Sequence, residues 1–398
     1  MKQKVVIIGY CFSTRLCLAR TLGSLGYDVS IIALEPTKSK PIDCYSKYVK
    51  SYFYTQGDSE DKILHILLNN FKDEKQKVIL IPINDFSASV LDKNQQLLGQ
   101  HFLFQHIQHR QGAIVEWMNK EKQKNLAQQI GLNVARSIDI EIVNKKYELP
   151  ADIHYPCFTK TRSFTTGYKH TLHRCDDESQ MLKALDDMCK EFDNLSLMVE
   201  DYKNIEKEYA VVGFSNGKEV IIPSVIEILS MANGSDKGIA LQGRIVSCQG
   251  YEEIIKAFQT FILKIGFVGM FDIDFYLSEG FFYFGELNLR LGGSGFAIIN
   301  KGVNLPEMYI RTLLDKSIED MNRDITGSAT YSNERICMHN WFEGNLTNHE
   351  YFSLLKSSDV SSVNSLHDIV PMIVFCLKTI KKYMILWKKS LFKGENKE

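Results

Sequence analysis

One stretch constrains the fold more than any other. It runs Phe271-Asp272-Ile273-Asp274-Phe275-Tyr276-Leu277, then Ser278-Glu279-Gly280, then Phe281 to Arg290. Both flanks are aromatic and aliphatic enough to be strands, and Gly280 suits a tight reversal between them. A loop of Glu279, Gly280 and Phe281 sets Asp274 opposite Glu286 and Asp272 opposite Asn288. Because side chains alternate along a strand, these four and Arg290 share one face. Like charges facing each other across strands repel, so carboxylates held among apolar neighbours call for a cation. Ligands that are all oxygen suit magnesium, which keeps waters and bridges to substrate phosphates. Arg290 is placed to meet a phosphate or a carboxylate. The alternative is a hairpin whose acids point into solvent; Asn288 and Arg290, continuing the same face, argue against it.

Upstream, residues 5–8 read as a buried strand, Thr14 to Leu25 as a helix ended by Gly26, and Val29 to Leu34 and Val78 to Ile83 as further strands. A helix lies around Asp61 to Asn70. Strand–helix alternation predicts a small parallel α/β domain over residues 1–110. Gly9 is followed by Tyr10, Cys11, Phe12, Ser13 and Thr14, so the glycines that let a dinucleotide pyrophosphate approach the backbone are missing. Beyond it the pattern predicts a helix over Lys120 to Ile130 and strands over Ile138–Val143, Cys157–Lys160, Leu195–Glu200, Glu208–Phe214 and Val220–Val225. A helix over Glu252–Ile265 then precedes the acidic hairpin, and helix-forming sequence runs from Leu305 to Leu314.

The chain has 398 residues, 44% hydrophobic, enough for two or three domains. Forty-seven basic residues against 48 acidic ones leave a net charge of −1, which gives no general attraction to nucleic acid. No apolar run approaches the length of a spanning helix, the N-terminus lacks a signal core, and nine scattered cysteines fit reduced thiols. The expected compartment is the cytoplasm.

Glu286-Leu287-Asn288-Leu289-Arg290, twelve residues after Asp274, resembles the closing signature of the ATP-grasp superfamily. The resemblance implies an α/β fold with an N-terminal Rossmann-like parallel domain, an ATP-grasp domain over 111–320 (its lid about 135–205), and a helical C-terminal segment over 321–398. It implies ATP and two magnesium ions, or manganese, with Asp274, Glu286 and Asn288 as metal ligands and Arg290 as the catalytic partner of the transferred phosphoryl group. Lys120, eleven residues before Gly131, and Lys160, ending a short strand after Pro156, match the two nucleotide-binding lysines. Glu200, Asp201 and Tyr202 resemble the hinge that meets adenine, and Glu208 the acid that accepts from the ribose, with Glu206 a competitor. The loop Thr161 to Lys169 departs from the usual glycine-rich form; Arg162 or Lys169 assists there. Ile81-Pro82-Ile83-Asn84-Asp85 is similar to the N-terminal domain of ligases akin to D-aspartate ligase and the large subunit of carbamoyl-phosphate synthase. So is the tail, on Glu343-Gly344-Asn345-Leu346-Thr347 and His367-Asp368-Ile369-Val370-Pro371.

The activity so implied is ligation of a carboxylate to an amine through an acyl phosphate, with release of ADP. Carboxylation or carbamoyl-phosphate-like chemistry and a silent ATP-binding scaffold are the alternatives. Gly293 and Ser294, in Gly292-Gly293-Ser294-Gly295, and Arg244 are candidate substrate contacts. The tail from Val370 to Lys393 alternates apolar patches with lysines, a pattern of helices that lie on anionic membranes as well as of packed helices with a solvated face. On the membrane reading the protein works at the inner membrane face and the acceptor is an envelope precursor of peptidoglycan or capsule. A homodimer is a further partner expectation.

Overall fold

The structure, a computed structural model, describes residues 2–35, 39–73, 75–161 and 171–393. Five strands, β1 (Lys4–Gly9), β2 (Asp28–Ala33), β3 (Val49–Tyr54), β4 (Val78–Pro82) and β5 (Phe102–Leu103), form a parallel sheet in the order β3-β2-β1-β4-β5. β1, β2 and β4 are almost wholly buried runs of Val, Ile and Leu, as strands covered on both faces must be. The strand order reverses between β1 and β4, and in open α/β sheets the crevice for ligands lies beyond the carboxyl ends there. Here those ends carry Gly9 on one side and Asn84 and Asp85 on the other. The edge strand β3 was not expected from the sequence.

After β6 (His106–Ile107) comes a four-stranded sheet of β7 (Ser137–Val143), β8 (Cys157–Thr161), β9 (His173–Cys175) and β10 (Asn194–Asp201), in the order β7-β10-β8-β9. Helix Glu178–Glu191 covers it with Met181, Leu185 and Met188.

The central sheet is antiparallel, β16-β15-β11-β13-β14-β17, built from β11 (Lys207–Asn216), β13 (Val225–Met231), β14 (Ala240–Val246), β15 (Phe267–Ser278), β16 (Phe281–Asn288) and β17 (Ala329–Ser332). The short β12 (Val220–Ile221) and β6 attach to it. The single strand expected over Val220–Val225 is two, split around Pro223, which has no N–H for a ladder. β17 lies beyond residue 320, so the C-terminal segment supplies a strand to the central sheet. One face of this sheet packs on helix Glu252–Ile265 through Phe258, Phe261 and Ile262, each worth about 1.5–3 kcal/mol when fully buried. Gly266, at φ 67°, ends that helix in the left-handed conformation glycine tolerates. The other face shares a core with the parallel sheet and helix Leu305–Leu313. Tyr309 of that helix, fully buried, donates to Leu80 O (2.8 Å) and fixes it to β4.

Candidate functional site

β15 and β16 carry the acidic face. Asp272 pairs with Asn288 and Asp274 with Glu286, the pairing expected from the sequence, reached by a different route. The turn is two residues, Glu279 and Gly280, both at positive φ (53° and 76°) as a type I′ hairpin requires. Alone it would set Asp274 opposite Gly285; a register shift between Asp274 and Phe275 restores the acid-to-acid pairing. Gly285 sits in that irregularity, where a Cβ would stand 2.8 Å from Asp274 O. Bulges of this kind re-aim side chains.

These residues open into a cavity of about 640 Å³ lined by Lys120, Lys124, Phe158, Lys160, Met198, Glu200, Asp201, Lys203, Glu208, Asp272, Asp274, Glu286, Asn288, Arg290, Gly293, Ser294, Tyr331 and Asn333, among others. Eleven of the thirteen sequence-predicted residues are in that lining: Lys120, Lys160, Glu200, Asp201, Glu208, Asp274, Glu286, Asn288, Arg290, Gly293 and Ser294. Glu206 is exposed and outside it.

Tyr202 is outside the lining as well. Its N–H donates to Pro156 O (3.0 Å) and its ring meets Phe158 at 5.7 Å. The N–H of Asp201 is bonded to Arg136 O (2.9 Å). The backbone N–H groups are therefore taken at both of these hinge positions, whereas the N–H of Lys203 has no backbone partner among the described residues.

Arg244 is a correction. β13 and β14 register Tyr209, Glu227 and Arg244 in one row, so Arg244 shares the face of Tyr209, while Asp274 is opposite Ala210, one residue on and on the other face. Arg244 is bound to Glu227, which Lys207 Nζ also meets at 2.7 Å. The alternation of β14 (Leu241, Gly243 and Ile245 inward) was the signal that assigns it outward.

Burial and the crowding of like charges dominate the electrostatics of the acidic face. Burial pushes the Asp272 carboxyl up to about 6, with Asp85 and Glu286 adding to burial and Arg290 opposing it. Asp274 is held well above the usual carboxylate range by desolvation, then by Asp272 and Glu286. Asp272 Oδ1 is buried without a hydrogen-bond partner among the described residues. Gly292 passes so close that a Cβ there would collide with the Asp272 carboxylate. Among the described residues no three His, Cys, Asp or Glu side chains close around a point by themselves. The two carboxylates and amide of Asp274, Glu286 and Asn288 are an all-oxygen donor set with room for water and phosphate, which fits magnesium.

Lysines flank this face. Lys120 Nζ lies 3.3 Å from Glu286. Lys160 Nζ donates to Glu200 Oε1 (2.7 Å), and Lys124 is bound to the other carboxylate oxygen and to Ala135 O (3.2 Å). Burial would raise the Glu200 carboxyl, but the two lysines outweigh it and hold it low. Glu200 thus anchors both lysines at the cavity wall. Burial lowers Lys124, with Glu200 opposing. Sequence reading missed Lys124, though it follows Lys120 by one helical turn and so shares its face. It also assigned no role to Asp85, whose Oδ1 lies 3.3 Å from Arg290 Nε. Burial alone raises the carboxyl of Glu208. The hydroxyl of Tyr331, a residue 2% exposed, lies beside Ser294 without a hydrogen bond of standard geometry among the described residues. The loop from Arg162 to Lys169, expected to touch phosphates, is outside the described residues.

No family model matches the chain. A curated relative, the carbamoyl phosphate synthase large chain of Clostridium botulinum, is 22% identical over 340 residues, 80% of this chain; the chain spans 30% of that relative's length. Among solved structures, the L-amino acid ligase of Bacillus licheniformis superposes with a TM-score of 0.63 at 15% identity, over 83% of this chain and 80% of that one. N5-carboxyaminoimidazole synthetase of Staphylococcus aureus, complexed with ADP, gives 0.61 at 15% identity over 88% and 87%. The chain has the ATP-grasp fold. In ATP-grasp terms the cavity lies between the β7–β10 sheet and the central sheet, with the acidic hairpin as its floor.

Proposed function

We propose that the protein is an ATP-dependent ligase that activates a carboxylate as an acyl phosphate and joins it to an amine, forming a C–N bond and releasing ADP and phosphate. The observation that carries this reading is the convergence of Asp274, Glu286 and Asn288 with Arg290, Lys120 and Lys160 in one cavity. The chain offers charge neutralisation and positioning, which dominate phosphoryl transfer. Lys120 and Lys160 neutralise nucleotide phosphates, Glu208 accepts from the ribose, and the Lys203 N–H reads adenine. Magnesium, held by Asp274, Glu286 and Asn288, would supply neutralisation of the phosphate oxygens. Arg290, fixed by Asp85, steadies the phosphoryl group as the carboxylate oxygen displaces ADP. The amine then attacks the acyl carbon, and phosphate leaves. We assign the acceptor to an envelope precursor, a peptidoglycan stem peptide or capsule sugar, because of the basic C-terminal helix.

Phosphate release from ATP and magnesium across a panel of amino acids, with a bicarbonate arm, tests the reading. Stimulation by an amino acid that is lost in Asp274→Asn supports it. Stimulation by bicarbonate alone favours carboxylation, and ATP binding with no stimulated release favours a silent scaffold.

A further inference from the structure

The C-terminal helix Val370–Lys393 is fastened to the body along one side. Phe375 packs on Phe12 with ring centroids 5.9 Å apart, and Tyr383 stacks on Trp341 at 5.5 Å. Thr379 Oγ1 meets Met338 Sδ (2.8 Å), Lys378 Nζ donates to Lys40 O (2.8 Å), and Lys382 Nζ rests over the Phe342 ring. On another side Val370, Ile373, Leu377, Ile380 and Met384 stand 45–60% exposed. Steps of three and four residues line them up in one stripe, and Leu366, 88% exposed, prolongs it toward the N-terminus. Single exposed apolar residues are ordinary; a continuous stripe marks a docking surface.

Charge selects the occupant. Between Val370 and Lys393 the sequence holds six lysines and no aspartate or glutamate. Lys381 borders the stripe, one helical turn on from Leu377. A second copy would bring another Lys381 to the same seam with no acidic residue of this helix to offset it, and like charges beside an interhelical seam work against pairing. An anionic lipid surface attracts the helix's unopposed positive charge and accepts the apolar stripe at the headgroup–acyl boundary. No helix among the described residues is long and apolar enough to cross a membrane.

We propose that this helix docks the protein flat on an anionic membrane surface, stripe against the lipid and Lys381 at headgroup level. Trp341, under Tyr383, lies near the end of helix Glu334–Phe342, whose cap Asn333 lines the cavity. At 1.5 Å per residue the two are roughly 12 Å apart along that helix, so docking brings lipid close to the cavity. That the acceptor is lipid-linked rests on the ligase reading; the docking does not.

Co-sedimentation of the full chain with vesicles tests the proposal. Vesicles with about one-third phosphatidylglycerol are expected to bind the protein at least ~10-fold more tightly than phosphatidylcholine alone, with the difference lost at about 0.5 M salt. Leu377→Gln with Ile380→Gln is expected to weaken binding ~10-fold or more. Both side chains are more than half exposed, so the thermal midpoint stays that of the parent. Equal binding to both lipids, absence of binding, or undiminished binding by the double variant overturns it. A dimer in light scattering that the double variant converts to monomer, without vesicle binding, assigns the stripe to a second copy instead. The readout is independent of catalysis, so its failure leaves the ligase reading standing.

Discussion

Arg290, two residues past the end of β16, holds Asp85, at the carboxyl end of the parallel sheet, with Nε 3.3 Å from Oδ1. Its Nη1 reaches Asp272 at 3.6 Å. One guanidinium therefore ties the crevice of the N-terminal domain to the acidic face, and its direction depends on a residue outside the hairpin. Asp85→Asn keeps the volume and removes the charge. We expect kcat/KM to fall roughly 10–100-fold, about 1.4–2.7 kcal/mol, with ATP affinity within about twofold of the parent. Weakened ATP binding with unchanged kcat would refute this role.

Lys124 and Lys160 share one buried carboxylate, Glu200. Lys124→Met leaves Lys160 alone with Glu200, drawn from the phosphates. Stability in urea is expected to drop by about 1–3 kcal/mol and the Kd for ATP to rise. Adding Glu200→Gln should recover part of the stability, because no carboxylate is then left short of a partner. A double variant less stable than the sum of the singles contradicts the coupling.

Tyr331 offers a buried hydroxyl to the cavity from β17, beside Ser294. Tyr331→Phe removes the oxygen and keeps the ring. The expectation is an unchanged Kd for ATP and a KM for the stimulating carboxylate or amine raised about 5–10-fold, the loss of one hydrogen bond of about 1–1.5 kcal/mol. Equal effects on ATP and on the second substrate would make the residue structural.

His106 joins β6 to β15 and stacks on His109 with centroids 3.5 Å apart. Its Nδ1 accepts from the His109 N–H (3.3 Å), a bond the protonated ring cannot make. Burial, then His109, pushes its pKa down to about 4 from an ordinary 6.5. A depressed histidine stabilises the fold above the unfolded value and loses that contribution as pH falls toward the folded one. Urea midpoints should therefore decline between pH 6.5 and 4, and His106→Gln should flatten the decline. A variant with the parent's slope would assign the acid sensitivity elsewhere.

The hairpin was legible because alternation fixes which side chains share a face whatever the exact loop. Its turn was not: the two-residue reversal and the shift at Gly285 cancel, and no local signal distinguishes that from a three-residue loop. β14 and β17 escaped notice because one contains Gly243 and the other has four residues; pairing with distant strands makes them strands. Lys124, Asp85 and Tyr331 gain their meaning from partners 76, 205 and 37 positions away, namely Glu200, Arg290 and Ser294. Spacing within one motif carries no information about such meetings.

β17 gives the protein an order of assembly. The lysines, the hinge and the acidic hairpin all leave the ribosome before Ala329–Ser332, yet that strand brings Tyr331 to the cavity wall and closes the sheet beside β14. Until it emerges, β14 presents an unpaired edge, the kind of surface that recruits foreign strands. A nascent chain thus carries its nucleotide machinery with one wall missing, and a chain stalled or clipped before Ala329 is incomplete at the site and primed to aggregate.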